Sequence, residues 1–395
     1  MKEYWKGMLA GVMCTAVVGT AGCAGLQWFT GKGLMGDPRV TDKVETIESM
    51  IEERYIEDVD EQTLEEGMYA GMVAALGDPY SRYYTSEEYD QEMTVSEGNY
   101  KGIGVVLSQE EEACTIVEVY KGGPGEEAGL LPKDIIISLN GESVEGWELS
   151  TIVSTVKSSE APITMGILRD GKEMEFSVDV REVELTYVNT KMLDNNVGYL
   201  ELTEFSGVAT KQYKDGIEEL KEQGMEKLIV DLRDNPGGYL DTVCDILREI
   251  LPEGLIVYTE DKNGFQQQEK CDGENPLEIP LVVLVNGNSA SASEIFAGAV
   301  QDYEIGTIVG TTTYGKGIVQ SIQGLADGSA LKLTVSHYYT PKGNDIHKIG
   351  ITPDVEVEMD ENGEKGEPDK DPQLQKALEL LDEKENEEPA TGIGA

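Results

Sequence analysis

Short apolar runs punctuated by glycine-bearing turns fill most of the chain, but the stretch before residue 97 is patterned for helices. From Val44 to Leu76, Ile47, Met50 and Ile51 mark one apolar face. Leu64, Met68, Met72 and Leu76 mark a second at four-residue spacing, and ERYIEDVDEQ separates the two. Strands are expected next at Tyr100–Leu107, Cys114–Val119, Ile135–Leu139, Ile163–Leu168 and Glu173–Val178, with one helix at Leu149–Val156. Asn140-Gly141 and Asp170-Gly171 supply the turns.

Beyond residue 183 the period changes. Apolar runs at Val197–Leu202, Lys227–Leu232, Gly254–Thr259, Leu281–Val285 and Thr307–Gly310 read as buried strands. Helical patterns ending near Lys221 and covering Leu240–Ile250 and Ser291–Asp302 come between them. Such alternation predicts an α/β core with partly parallel strands. Ile318–Ile322 and Leu331–Tyr339 add strands, and Asp371–Leu381 reads as a short amphipathic helix. The flanking ENGEKGEPDKD and EKENEEPATGIGA have the composition of a charged linker and a disordered end.

The N-terminus differs from the rest. Gly7 to Gly31 carries no charge, follows Lys2 and Lys6, and is near the length that spans a bilayer. It reads as an uncleaved membrane anchor with the remainder outside. A cleaved signal peptide, lipidation at Cys23 in TAGC, and a cytoplasmic protein with an apolar first helix are the rival readings.

Seventy-six acidic residues against 31 Lys plus Arg give a net charge of −45. That excludes a nucleic-acid surface and favours basic substrates. The five cysteines show neither metal-ligand spacing nor a disulfide framework.

The chemistry concentrates between Pro280 and Gln320. Ser291 falls where a buried strand turns into a helix, so the amide of Ala292 can face a developing oxyanion. No histidine lies nearby; the two in the chain, His337 and His347, read as structural. Lys316, between Gly315 and Gly317, can serve as base if desolvation or a nearby cation lowers its pKa. Plainer readings stand beside these. Ser291 and Glu294 fit a helix capping box, a lysine between glycines fits a solvated turn, and Asp231, Arg233 and Asp234 fit a strand-end salt network.

Three blocks, DLRDNPGG (231–238), NGNSASASEIFAGAVQD (286–302) and TYGKGIVQ (313–320), resemble the signatures of the C-terminal processing peptidases, the tail-specific serine proteases of family S41. The resemblance implies Ser291 as nucleophile, Lys316 as general base, Gln320 as its support, and the amides of Gly238 and Ala292 as oxyanion donors. It implies a crotonase/ClpP-like β/β/α protease core over residues 183–355, with an inserted PDZ domain at 97–182. A helical segment at 43–96 precedes them, the anchor or signal occupies 1–31, and 356–395 form the acidic tail. In the PDZ domain, Lys101-Gly102-Ile103-Gly104 resembles the loop that captures a peptide carboxylate, although the same glycines could merely shape a turn. DPYSRYYTSEEY (78–89) resembles the family's pre-domain segment and is assigned packing, not chemistry. Two stretches depart from the family pattern, GPGEEAG (123–129) and Gly343-Asn344-Asp345-Ile346.

The expectation is therefore a serine endopeptidase that needs no cofactor or metal. It would take protein C-termini as partners and work by a Ser/Lys dyad through an acyl-enzyme. It would sit at a bacterial cell membrane with the catalytic part outside, or be exported, and could dimerise through its N-terminal helices. The alternatives are a non-catalytic PDZ adaptor and a crotonase-like acyl-thioester enzyme.

Overall fold

The computed structural model describes residues 33–110, 113–360 and 363–387. The chain forms two compact units, divided between Met72 and Val73. In the first, helix Pro38–Arg54 starts where its own chemistry dictates. Pro38 occupies the first turn, and the Asp37 side chain accepts the Arg39 N–H at 3.0 Å. A second helix begins at Glu61.

The membrane expectation is corrected here. No helix among the described residues is long and apolar enough to cross a membrane, so neither a transmembrane helix nor a membrane partner is retained. The 7–31 segment on which it was read, with Cys14 and Cys23, lies outside the described residues.

Within the second unit, the chain leaves the core along Asn99–Gly102 and returns along Arg181–Glu184, and these two stretches pair antiparallel. The intervening residues form a sheet in the order Val105–Glu110, Ala113–Val119, Ile135–Leu139, Ile163–Arg169, Lys172–Val178. Its core holds Ile116, Ile152, Ile163, Met165 and Ile167, each 0% exposed. Ile152 comes from helix Leu149–Ser158, which packs beside the edge strand Val105–Glu110.

The rest of the second unit is organised by a six-stranded sheet. Its order is Val188–Leu193, Val197–Leu202, Lys227–Asp231, Leu281–Val285, Thr307–Gly310, Val355–Glu356, parallel after the first pair. Strands Lys227–Asp231 and Leu281–Val285 are buried at every position. That explains their unbroken apolar runs, because both faces of a parallel sheet are covered. Leu228, Val230, Leu281 and Val283 pack among the helices Ala209–Glu222, Leu240–Arg248 and Ala292–Tyr303. The alternate residues Ile229, Val282 and Leu284 face Leu374, Ala377 and Leu381 of helix Pro372–Glu387.

The tail therefore differs from expectation. Its helix closes one face of the core sheet, and the leucines Leu374 and Leu381 contribute about 1.5–3 kcal/mol each by burial. Asp371, read as the junction of charged linker and helix, is 0% exposed and bonded to Arg233. A second sheet runs Arg82–Tyr84, Ala330–Tyr339, Gly254–Asp261, Gln266–Cys271, with Ile318–Gly324 also paired to Ala330–Tyr339. It carries the segment just after Lys316.

Candidate active site

Ser291 ends the loop leaving the buried strand Leu281–Val285 and immediately precedes helix Ala292–Tyr303. Its backbone is held at φ 56°, ψ −114°, a conformation that costs a non-glycine residue about 1–3 kcal/mol and persists only where surroundings enforce it. Several bonds do so. The Ser289 hydroxyl donates to the Leu232 carbonyl at 2.7 Å, and the Ala290 N–H and Ser293 hydroxyl both donate to the Asn235 carbonyl at 3.0 Å.

Two side chains then tie Ser291 to Lys316. The Glu294 carboxylate, 0% exposed, accepts the N–H groups of Ser291 (2.9 Å), Lys316 (2.8 Å) and Gly315 (2.7 Å), and the Thr313 hydroxyl (2.6 Å). The Tyr338 hydroxyl lies against the Ser291 carbonyl at 3.0 Å and against the Lys316 carbonyl. The peptide groups of both candidate catalytic residues thus share the same two anchors. The capping box read from S-x-x-E is present, but its glutamate does more than cap.

The NPGG turn completes the arrangement. The Asn235 side chain accepts the Gly237 N–H at 2.8 Å and donates to the Leu202 carbonyl at 2.8 Å. Gly237 and Gly238 adopt φ 109° and 140°. A Cβ on Gly238 would meet the Phe205 carbonyl oxygen at 2.3 Å, and one on Gly237 would meet Ser291 Cβ at 2.8 Å, so only glycine fits either position. Among the described residues, the N–H groups of Gly238 and Ala292 have no acceptor. Both residues line a cavity of about 470 Å³ together with Ser291, Lys316 and Gln320.

Lys316 is half-buried, and its amine is pushed below the ordinary lysine value. Burial is the main cause and the Lys332 ammonium adds to it, while Glu294 and Asp78 oppose it. The Lys316 ammonium sits 5.0 Å from the centre of the Tyr80 ring. No hydrogen bond joins it to the Ser291 hydroxyl or to Gln320 among the described residues. Gln320 Nε2 here donates to Thr334 Oγ1 at 3.3 Å, and that hydroxyl donates to Asp78 at 2.6 Å. His337 and His347 pack edge-to-face at 5.4 Å and do not line the cavity.

In the carboxylate-loop candidate, Lys101 and Gly102 end the strand Asn99–Gly102, Ile103 is buried, and Gly104 has φ 72°. The carbonyls of Ile103 and Gly104 accept from Gly125 (2.7 Å) and Tyr120 (2.9 Å). Burial, then Tyr120, pushes the Tyr100 phenol to about 12, opposed by the neighbouring amides of Gly104 and Val105.

Family models match three stretches: Peptidase family S41 at residues 196–357, the PDZ domain at 92–168, and the activating protease CtpB N-terminal domain at 31–88. A carboxyl-terminal-processing protease of Synechocystis is 38% identical over 297 residues, covering 73% of this chain and 70% of the relative. The chain belongs to peptidase family S41. The carboxy-terminal processing proteases CtpA and CtpB of Bacillus subtilis are each 34% identical, over 80% and 81% of this peptidase and 69% and 68% of their own lengths. A putative S41 protease from Bacteroides fragilis shares the fold, with a TM-score of 0.50 at 17% identity over 85% of this chain and 97% of that one. This S41 peptidase is a serine-type endopeptidase with a mixed α/β core and an inserted PDZ domain.

Sequence reading missed Tyr338, Asn235, Tyr80 and Lys332, and it missed the anchoring role of Glu294. One signal for Glu294 was available. It is the lone charge in the stretch 292–300, which is buried throughout, and a carboxylate there needs several donors.

Proposed function

We propose that this peptidase is an extracytoplasmic serine endopeptidase that cuts proteins near their C-termini, with Ser291 as nucleophile and Lys316 as general base. The observation that carries the reading is the double anchoring of Ser291 and Lys316 by Glu294 and Tyr338, beside two unpaired amides on the same cavity. Neutral Lys316 accepts the Ser291 proton as the hydroxyl attacks the peptide carbonyl. The amides of Gly238 and Ala292 stabilise the oxyanion, and protonated Lys316 gives its proton to the departing amine. Water, activated by the same amine, then releases the acyl group. For this the Lys316 amine has to close on the Ser291 hydroxyl, to which it is not hydrogen-bonded among the described residues. Gln320, which lines the same cavity, is assigned to hold the amine after turning from Thr334.

The PDZ domain supplies the C-terminal preference. Its strand Val105–Glu110 is an edge that a peptide can extend, and the loop 101–104 lies at that strand's start. A tail peptide incubated with the protein and analysed by mass spectrometry is the test. New termini are expected from the wild type and none from Ser291→Ala, with tail binding retained in the variant. Normal turnover by Ser291→Ala would overturn the nucleophile, and binding without any new termini in the wild type would leave only an adaptor.

A further inference from the structure

Of the two carboxylates that line the cavity among the described residues, Glu92 and Glu204, only Glu204 has no partner there. Glu204 follows the core strand Val197–Leu202 and immediately precedes Phe205. Phe205 bridges to the oxyanion turn, donating its N–H to Gly237 at 2.7 Å and accepting the Tyr239 N–H at 2.8 Å. Glu204 is therefore fixed one residue from the loop that would hold the scissile carbonyl. It lines the same cavity as Ser291, Ala292 and Lys316.

Charge counting shows what is missing. Among the described residues, four charge-bearing side chains line the cavity: Glu92, Glu204, Lys316 and Lys332. Glu92 and Lys332 cancel in an ion pair of 2.8 Å. Lys316 must be neutral to act as a base. Glu204 has no hydrogen bond or ion pair among the described residues, and burial, then repulsion from Glu92, pushes its carboxyl above the ordinary value. A half-buried carboxylate without a partner is costly, and a cation entering the cavity removes that cost. Phe205, Leu240 and Ile295 line the same cavity and offer apolar surface to the aliphatic stem of a lysine or arginine.

We propose that Glu204 forms a substrate subsite for a basic side chain, lysine or arginine, flanking the bond that is cut. The assignment rests on the catalytic reading above. It makes this peptidase selective twice over: a C-terminus engaged by the PDZ domain, and a cation read at the cleft.

The experiment uses the full chain and one tail peptide whose cleaved bond has been mapped. Lysine, norleucine or glutamate is placed in turn at each of the two positions on either side of that bond, and kcat/KM is measured for each peptide. At one position lysine should exceed norleucine by about ten- to a hundredfold, the worth of a charge-assisted hydrogen bond. That ratio should fall to near one in Glu204→Gln, persist in Glu204→Asp, and invert in favour of glutamate in Glu204→Lys. Ratios are insensitive to a general loss of active protein. Equal rates for lysine and norleucine at all four positions, or a lysine preference that survives in Glu204→Gln, would overturn the subsite. Cleavage of the norleucine peptides by the wild type, abolished by Ser291→Ala, secures the catalytic reading separately, so a failure of the subsite is recognisable by itself.

Discussion

At the residue scale, Glu294 shows how a familiar local pattern can hide a longer-range role. Its S-x-x-E spacing was legible, and so was the capping interaction. Its other donors come from Thr313, Gly315 and Lys316, some 20 residues on, and no local pattern announces them. Replacing Glu294 with Gln puts an amide donor among N–H groups that need an acceptor. We expect Glu294→Gln to lower kcat/KM about ten- to a hundredfold and to lower the melting temperature. Kinetics and calorimetry on the same preparation check both, and an unchanged kcat/KM would contradict the anchoring role.

Lys332 offers a pH test at the same scale. Burial is the larger cause of the depressed Lys316 pKa and Lys332 is the second. With Lys316 as the proposed base, activity should rise with pH as its amine loses a proton, and a lower pKa should shift that rise to lower pH. Removing the cation in Lys332→Met also frees Glu92, and both changes favour protonated Lys316. The acidic limb of kcat/KM should therefore move to higher pH in Lys332→Met and stay in place in Lys332→Arg. An unmoved limb in Lys332→Met would show that Lys332 does not tune the base.

At the element scale, the tail helix was visible as an apolar pattern, but its docking was not. The reason is Asp371. An acidic residue after a run of Glu, Gly, Pro and Asp reads as solvated linker, yet here it pairs with Arg233 at 2.7 Å, and Arg233 also binds Asp231. Burial alone would raise the Asp371 pKa. Hydrogen bonds from Arg233, Leu374 and Gly366 outweigh it and hold the carboxyl below the ordinary aspartate value. A depressed carboxyl stabilises the fold above its unfolded pKa, and that stability is lost as pH falls through the folded value. Asp371→Asn should lower the urea midpoint at neutral pH, by roughly 3–5 kcal/mol in unfolding free energy, and should narrow the gap to wild type in strong acid. An equal gap at both pH values would contradict the charge account.

The strands divide in the same way. Leu281–Val285 and Lys227–Asp231 were legible because burial on both faces demands continuous apolar residues. Gln266–Cys271 was not, because QQQEKC is mostly exposed and shows no alternation; it joins the second sheet only through its neighbour Gly254–Asp261.

For the whole molecule, a charge of −45 acts beyond any single contact. It should draw cationic peptides toward the protein, and salt should screen that attraction. Raising ionic strength from about 0.02 to about 0.5 M should lower kcat/KM for lysine-bearing tail peptides several-fold while neutral ones change little. Equal salt responses would show that the global field does not steer substrate.

Ser291 is proposed to be activated by Lys316, although the two side chains are not bonded in this structure. The most direct measurement is the rate at which a fluorophosphonate labels the protein, with the modified residue mapped by mass spectrometry. The expected result is an adduct on Ser291 that forms about a hundredfold more slowly in Lys316→Ala at neutral pH. Labelling of a different serine, or an undiminished rate in Lys316→Ala, would contradict it.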